Sequence, residues 1–261
     1  MMKLSERARA IRPSLTFAVE AKAREMRARG IDVIGFGAGE PDFDTPEHIR
    51  RAGIDAINSG FTRYTPTAGI PELKEAIVAK FQRENGLEYK PSQIIVSCGA
   101  KHSLCNAFQA LCGQGDEVII PCPYWVSYPD QVRMSGATPV IIDTTSTNFK
   151  ITPEALTEAI TPRTRVIVLN SPSNPTGMMY SEDELSAIAD IVVEHDLFVL
   201  SDEIYERLLY RGTKFISIAS LGEEIKARTL VVNGVSKTYA MTGWRIGYAA
   251  GDADLIAAMN R

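Results

Sequence analysis

The stretch LVVNGVSKTYAMTGWRIGYA, residues Leu230–Ala249, contains two β-rich runs separated by a bend of small residues. The first run predicts a strand over Leu230–Asn233, and the second predicts a strand over Arg245–Ala249. Between them, Lys237 comes directly after Ser236. A solvated surface lysine needs no such setting, whereas the setting is compatible with a lysine that bonds covalently to a cofactor.

The same alternation extends back along the chain to about Pro91, with short β-rich runs between helical patterns. Helix boundaries are marked by Pro71 near one start, by Gly86 beyond the end of that helix, and by a capping box that begins at Ser181. Strands that alternate with helices predict an α/β fold with a mainly parallel sheet flanked by helices. The other strands are predicted over Ile94–Ser97, Glu117–Ile120, Val140–Ile142, Arg165–Leu169 and Phe198–Ser201.

Composition and charge limit the class of protein. Of the 261 residues, 45% are hydrophobic and 23% are charged, which is typical of a soluble globular protein. The formal net charge of −4 argues against a nucleic-acid partner. No apolar run is long enough to span a membrane and no signal peptide is visible, so we expect no membrane partner.

The cysteines and histidines predict no metal site. The cysteines lack the paired spacing of zinc ligands, and the three histidines are scattered. We therefore expect small buried hydrophobic cysteines in a reducing cytoplasm. The four cysteines are Cys98, Cys105, Cys112 and Cys122.

Polar residues follow four of the predicted strands at the point where each strand ends. Because ligands of an open α/β sheet bind outside the carboxyl ends of its strands, these residues should converge on one edge. Each motif taken alone is also compatible with an ordinary turn, a helix cap or a surface cation. The four sets are Gly99-Ala100-Lys101, Asn174, Asp202 with Tyr205, and Ser236 with Lys237.

Together these groups suit a phosphorylated ring that carries an aldehyde. Lys237 would form a Schiff base with the aldehyde. Asp202 would keep the ring nitrogen protonated, so that the ring withdraws electrons. Asn174 and Tyr205 would hydrogen-bond the ring hydroxyl.

The remaining groups suit the phosphate and the ring face. Ser236, Arg245 and the helix N–H groups near Gly99 would hold the phosphate. An aromatic side chain, either Trp125 or Tyr124, would stack on the ring.

Six stretches resemble the class I/II pyridoxal-phosphate aminotransferases of fold type I, and more narrowly the bacterial aspartate aminotransferases of the Iβ branch. They occur in the family's order and span nearly the whole chain. The cofactor that this resemblance implies is pyridoxal 5'-phosphate. The stretches are GAGEPDFDTP, YTPTAGIPELKEAI, PYWVSYPD, NSPSNPTG, SDEIYERLLY and SKTYAMTGWRIGYAAG.

The resemblance also implies a role for each matching residue. Lys237 would hold the cofactor and move the proton at the substrate α-carbon, with Asp202 and Tyr205 as the other catalytic residues. Tyr64 would reach the cofactor phosphate of a neighbouring subunit, which implies a homodimer with shared sites. The cofactor would also contact Gly99, Ala100, Lys101, Trp125, Asn174, Ser236 and Arg245.

Five residues are implied to contact the substrate. Gly39 would offer its backbone to a substrate carboxylate, and Lys101 matches the position that reads the distal carboxylate of aspartate. Arg12 is a weaker candidate for a carboxylate contact. Trp125 and Asn174 would line the substrate site as well as the cofactor site.

The resemblance divides the chain at residue 45. Residues 1–45 would form an N-terminal arm and part of a small domain, with one or two helical turns, and residues 46–261 the large cofactor-binding domain. Family members run well past the lysine motif. We therefore expect the large domain to be incomplete at its C-terminal end and the C-terminal small domain to be missing, together with the arginine that clamps the α-carboxylate.

The resemblance predicts transfer of the amine from aspartate, or a similar dicarboxylate, to 2-oxoglutarate by a ping-pong mechanism. The substrates would be amino acids and 2-oxo acids. Three alternatives remain open. They are a prephenate, broad-specificity or aromatic aminotransferase, another pyridoxal-phosphate reaction such as a β-lyase, and an inactive cofactor-binding fragment.

Overall fold

The computed structural model describes residues 4–5, 8–9, 11, 15–37 and 39–261. Seven strands form a single sheet in the order β1-β7-β6-β5-β4-β2-β3. The strands are β1 Ile94–Ser97, β2 Glu117–Cys122, β3 Thr138–Asp143, β4 Thr164–Asn170, β5 Phe198–Asp202, β6 Thr229–Gly234 and β7 Gly247–Ala250.

All of the strands except β7 run in the same direction, since β7 pairs antiparallel with both β1 and β6. The prediction of a mainly parallel sheet is confirmed. The prediction of a strand over Arg245–Ala249 is wrong at its start. Arg245 follows a short 3₁₀ turn, Thr242–Trp244, and adopts a left-handed backbone with φ of 56°, so the strand begins only at Gly247.

Helices cover both faces of the sheet, as predicted. One face packs against α4, α5 and α9, and the other packs against α3, α6, α7 and α8. The helices are α1 Leu15–Ala28, α2 Glu47–Asn58, α3 Pro71–Asn85, α4 Ala100–Leu111, α5 Tyr128–Ser135, α6 Pro153–Ala159, α7 Glu182–Glu194, α8 Glu223–Ala227 and α9 Ala253–Asn260.

Local sequence explains where these helices begin and end. The capping box predicted at Ser181 is present at the start of α7, because Ser181 Oγ accepts from the Glu184 N–H and Glu184 accepts from the Ser181 N–H. Helix α3 begins at Pro71 and ends at Gly86, which has a left-handed φ of 67°. The buried residues of α3 and α7 pack against the sheet.

The described residues before 46 differ from the expectation. Helix α1 has 14 residues, so the prediction of only one or two helical turns before residue 46 is wrong. Among the residues that follow it, 31–37 and 39–46 are described and have no regular secondary structure. In the described structure, α2 buries none of its residues against the rest of the chain.

The cysteines are all free, but the prediction that they are buried is wrong for Cys98. Cys112 is buried, Cys105 and Cys122 are partly buried, and Cys98 is exposed at the end of β1. Across the part of the chain that the structure describes, we find no helix long and apolar enough to cross a membrane.

Candidate active site

Three of the predicted site residues lie at the carboxyl edge of the parallel strands. Asn174, Asp202 and Lys237 follow or end strands β4, β5 and β6, which pair side by side in parallel. Because β7 is antiparallel, its first residues lie at the same edge as the ends of its neighbours, with Gly247 paired to both Ser97 and Gly234. Arg245, which comes just before β7 in the chain, therefore lies at this edge as well.

The side chain of Lys237 is half-buried on the bend after β6. Its amine donates a hydrogen bond to the carbonyl oxygen of Gly39 and lies 5.7 Å from the centre of the Tyr205 ring. Burial lowers the pKa of this amine, and the positive charge of Arg245 lowers it further, while the Glu40 carboxylate opposes both. A larger fraction of the amine is therefore unprotonated and nucleophilic near neutral pH than for a solvated lysine.

Asp202 is a buried carboxyl group at the end of β5. Its Oδ2 accepts a 2.6 Å hydrogen bond from the hydroxyl of Tyr128, and its Oδ1 accepts from the N–H of Ile204 at 3.3 Å. Burial raises the pKa of Asp202 to about 6, although both hydrogen bonds act in the opposite direction. A cationic group placed beside this carboxylate would be strongly favoured.

Sequence reasoning missed Tyr128 as a partner of Asp202. The two residues are far apart in the sequence, and their contact arises because α5 packs against the sheet face that contains Asp202. The available signal was the position of Tyr128 within PYWVSYPD, directly after β2. Nothing local pairs the two side chains, so only the packed structure identifies the contact.

Tyr205 and Asn174 are brought together, as predicted. Asn174 Nδ2 donates a 3.5 Å hydrogen bond to the phenol oxygen of Tyr205. Burial raises the pKa of the Tyr205 phenol, and the negative charge of Asp202 adds to this effect. The phenol therefore keeps its proton and can donate it to a ring oxygen.

Asn170 is a second residue that the sequence did not single out. Its Nδ2 donates to the carbonyl oxygen of Asp202 at 2.9 Å, and its Oδ1 accepts from the N–H of Asn174 at 2.7 Å. Asn170 thereby ties the loop after β4 to the end of β5.

The Arg245 guanidinium lies against the turn that opens helix α4. It donates to the carbonyl oxygens of Thr242 at 2.8 Å and Cys98 at 3.4 Å. Gly99 has a φ of 86°, and a Cβ at this position would overlap the guanidinium. Arg245 and the first N–H groups of α4, from Ala100 onward, form the positive end of a site that suits an anion.

Ser236 and Gly247 complete this corner of the site. Ser236 is buried, and its carbonyl accepts from the Met241 N–H at 3.0 Å, which closes the bend that holds Lys237. A Cβ at Gly247 would overlap the backbone nitrogen of Ala100. Only a glycine at the start of β7 therefore allows the N-terminus of α4 to approach this closely.

Trp125 and Lys101 lie next to each other. The Lys101 amine is 4.9 Å from the centre of the Trp125 ring, and that ring meets Tyr128 edge-on at 5.3 Å. Burial lowers the pKa of Lys101, with a further contribution from the positive charge of Arg245. Lys101 therefore lies at the aromatic side of the site, and its predicted contact with a substrate carboxylate stays a prediction.

Three other predicted residues have different outcomes. Gly39 is brought to the site by its carbonyl contact with Lys237. Tyr64 is fully exposed. Arg12 lies outside the described residues, so its predicted role stays a prediction. Among the residues that the structure describes, no cluster of histidine, cysteine, aspartate or glutamate could hold a metal ion.

These donors fit the pyridoxal phosphate that the family resemblance implies. Asp202 is a buried carboxylate that would gain from a pyridinium cation, while Asn174 and Tyr205 supply donors for a ring hydroxyl. Arg245 and the start of α4 suit a phosphate group, and Lys237 supplies an amine with a lowered pKa. Each of the cofactor's polar groups therefore has a matching residue at this edge of the sheet.

Comparison with known proteins identifies relatives of this chain. The chain is 58% identical over 257 residues to an aspartate aminotransferase of Bacillus sp. (strain YM-2), covering 98% of this chain and 66% of that protein. It is 54% identical over 260 residues to an aspartate/prephenate aminotransferase of Nitrosomonas europaea, covering 99% of this chain and 66% of that protein.

The solved structure of an aspartate aminotransferase from Thermus thermophilus with maleate superimposes with a TM-score of 0.95 at 50% identity. The match covers 100% of this chain and 67% of that one. The chain thus spans about 66% of the length of the curated relatives it matches. The family model described as "Aminotransferase class I and II" matches residues 31–261. Fold, site geometry and these similarities together show that the chain belongs to the class I and II aminotransferase family.

Proposed function

We propose that this chain is the cofactor-binding part of a pyridoxal-phosphate-dependent aminotransferase. The enzyme takes the amine of aspartate, or of a similar dicarboxylate, and gives it to 2-oxoglutarate. The donor's oxo acid leaves before the acceptor binds, which is a ping-pong mechanism. The observation that carries the proposal is the half-buried amine of Lys237, which lies beside Tyr205 at the strand edge that also contains Asp202.

When bound, pyridoxal phosphate supplies an aldehyde and an electron-withdrawing ring. Lys237 would provide the amine that holds the cofactor and the base that carries the proton at the substrate α-carbon. Asp202 would keep a proton on the ring nitrogen, because its buried carboxylate would be stabilised by a neighbouring cation. The Tyr205 phenol, which accepts a hydrogen bond from Asn174, would donate to the ring hydroxyl. Arg245, Ser236 and the N–H groups after Gly99 would hold the phosphate.

Lys101 is proposed to select a dicarboxylate. Its amine lies over the Trp125 ring, and a charged side chain in this position favours a second negative group on the substrate. The Thermus thermophilus relative was solved with maleate, itself a dicarboxylate, which supports this assignment. Gly39, whose carbonyl accepts from Lys237, would contact the substrate carboxylate through its backbone N–H.

The test is the visible absorbance of the purified chain with pyridoxal phosphate, before and after aspartate is added. We expect a band that forms with wild type and bleaches with aspartate, and no such band with Lys237→Ala. Lys90→Ala is the matched control, since this exposed lysine precedes β1 and lies away from the site. An equal band in Lys237→Ala and wild type would reject the proposal. A wild-type band that persists with every amino acid would support the inactive cofactor-binding fragment.

A prephenate or aromatic aminotransferase is the second candidate function. It is favoured by the name of the Nitrosomonas europaea relative, which includes prephenate. Prephenate and 2-oxoglutarate should be compared as amine acceptors, because acceptance of both would widen the proposal. Release of ammonia and pyruvate in place of an oxo acid would indicate a β-lyase instead.

We further propose a homodimer with shared sites. Tyr64 is fully exposed on its own chain, which leaves its side chain available to a neighbouring subunit's phosphate. Residues 1–45 are proposed as an arm and part of a small domain, and 46–261 as the cofactor domain. A cytoplasmic location, which agrees with four free cysteines, is likewise a proposal.

A further inference from the structure

The turn after β5 has a second, buried side that faces away from the candidate active site. Asp202 and Tyr205 face the site, whereas Glu203 and Glu206 have their partners elsewhere. Glu203 and Glu206 are only 1% and 4% exposed. Two buried carboxyl groups directly behind the cofactor-facing residues are costly to maintain and call for an explanation.

Glu206 is held at both of its carboxylate oxygens by helix α3. Lys80 Nζ forms an ion pair with Oε1, and Asn85 Nδ2 donates to Oε2 at 2.9 Å. Lys80 also donates to Asn85 Oδ1 at 2.8 Å, which closes a triangle of three residues. The amine of Lys80 lies 4.8 Å from the centre of the Phe81 ring, in the core between α3 and the sheet.

Such a buried ion pair is a poor source of stability, because the cost of desolvating both charges offsets their attraction. The ion pair does restrict the positions of its two side chains, because displacement of the Glu206 carboxylate would leave both it and the Lys80 amine buried without a partner. The triangle of Lys80, Asn85 and Glu206 therefore locks residue 206 against α3. We call it the α3 clamp.

The α3 clamp bears directly on Tyr205, its neighbour in sequence. The turn is tight, with the Glu206 N–H donating to the Glu203 carbonyl at 3.0 Å and the Leu208 N–H donating to the Tyr205 carbonyl at 2.8 Å. On the site side, the Tyr205 phenol receives a long hydrogen bond of 3.5 Å from Asn174. We therefore infer that the position of the phenol is determined more by the backbone, which the clamp holds, than by the hydrogen bond from Asn174.

We propose that Glu206, held by Lys80 and Asn85, is a positioning residue that fixes Tyr205 for the cofactor ring. This inference rests on the proposed function, because Tyr205 is the residue through which it acts. Glu206 itself touches neither the cofactor nor the substrate. Glu206 lies on the side of the turn that faces away from the site, and from there it sets the distance between the Tyr205 phenol and the cofactor ring.

The first test is a double-mutant cycle on affinity for pyridoxal phosphate. The variant Lys80→Met with Glu206→Gln removes both charges of the clamp without leaving one unpaired. We expect it to weaken binding about tenfold in wild type and to have no effect in a Tyr205→Phe background, as for residues that act through one another. Equal losses in both backgrounds, or unchanged binding in wild type, would overturn the proposal.

Asn85→Ala is a gentler second variant for the case in which the double replacement does not fold. It removes the donor to Glu206 Oε2 and leaves the ion pair in place. We expect a smaller loss of pyridoxal phosphate affinity that also vanishes in the Tyr205→Phe background. A loss that survives there would count against the positioning role.

A measurement without cofactor separates this inference from the proposed function. The protein is labelled with 3-fluorotyrosine, and the Tyr205 fluorine resonance is identified by its absence in Tyr205→Phe. Loss of the α3 clamp should shift this resonance and its pH titration. Glu117→Gln is the matched control, because Glu117 is a similarly buried, ion-paired carboxylate at the opposite edge of the sheet, and it should leave the resonance unchanged.

The two results have distinct meanings. A Tyr205 resonance that does not move when the clamp is removed overturns the positioning role, whatever the cofactor does. A resonance that moves, in a protein that binds no pyridoxal phosphate, supports the positioning role and rejects the proposed function.

Discussion

A carboxyl group that lies almost fully inside a protein, as Asp202 does, is costly to ionise. In the folded chain its pKa is raised from 3.8 to about 6, so between these values the folded state binds more protons than the unfolded state. Stability from this group is therefore fully present below about pH 4 and is lost as the pH rises through about 6. A cofactor cation beside Asp202 would reduce this free-energy cost of ionisation.

Asp202→Asn should therefore stabilise the cofactor-free chain above pH 6 relative to wild type. The gain should be up to about 3 kcal/mol, from roughly two pKa units, and should disappear near pH 4. Urea unfolding of both proteins between pH 4 and 8 measures it. Burial raises the pKa of Glu203 to about 8. Because Glu203 is present in both proteins, its contribution to the pH dependence of stability cancels when the two are compared.

Asp190→Asn supplies the control for this pH series, because Asp190 is exposed on α7. Its stability difference from wild type should be small at every pH. If the curves of Asp202→Asn and wild type stay parallel from pH 4 to 8, Asp202 does not titrate as a buried group.

At the scale of elements, the candidate site depends on how closely α4 approaches the start of β7. Gly247 lies against the backbone of Gly99 and Ala100, and the Arg245 guanidinium lies against Gly99. The N–H groups at the start of α4 and the guanidinium are therefore held side by side. Spacing between these two elements decides whether an anion can contact both.

Gly247→Ala should push α4 away from β7. We expect a loss of about 1–3 kcal/mol in the free energy of unfolding, as for other overpacked sites, together with weaker binding of inorganic phosphate. Gly243→Ala is the control, because a Cβ at Gly243 meets nothing within 4 Å among the described residues. Chemical denaturation of the two variants compares them, and equal stabilities would contradict the close approach.

Helix α7 contributes to the fold through its capping box. Ser181→Ala removes the acceptor for the Glu184 N–H and should cost about 1 kcal/mol of stability. Ser127→Ala is a matched control, since Ser127 occupies the N-cap of α5 but makes no cap hydrogen bond through its side chain in the described structure. Thermal melts that show the same loss for both would mean that the cap contributes nothing.

At the scale of the whole molecule, the apolar surface before residue 65 stands out. Ile57 and Phe61 are 68% and 60% exposed, and Tyr64 is fully exposed. The Trp244 ring lies against Gly53 of helix α2, and the Trp244 indole N–H donates to Thr45 Oγ1, just before this helix, at 3.2 Å. An exposed apolar strip of this kind is typical of a protein interface.

We expect this surface to form the interface of the proposed homodimer. Ile57→Lys should shift the chain towards monomer in analytical ultracentrifugation. At protein concentrations where wild type is also monomeric, the variant should change the melting temperature little. Asp55→Lys, an exposed position on the same helix, tests whether added charge alone has this effect. A dimer that persists in Ile57→Lys would exclude this face as its interface.

The sequence by itself determined the order along the chain of the seven strands and of helices α3 to α7, the caps of α3 and α7, the family, and the identity of the polar groups at the sheet edge. These follow from residue type and short spacing, because a helix cap, a buried strand or a lysine beside a serine is defined within a few residues. The residues Lys237, Asp202, Tyr205, Asn174 and Arg245 were named for this reason.

Only the tertiary structure decided how those groups meet. The antiparallel direction of β7, the Tyr128 hydrogen bond to Asp202, the Gly39 carbonyl over Lys237 and the α3 clamp all join residues that are far apart in the sequence. Burial, and with it the raised pKa of Asp202, arises only when helices cover both faces of the sheet. Desolvation and hydrogen bonding depend on distances in space, and local sequence does not specify those distances.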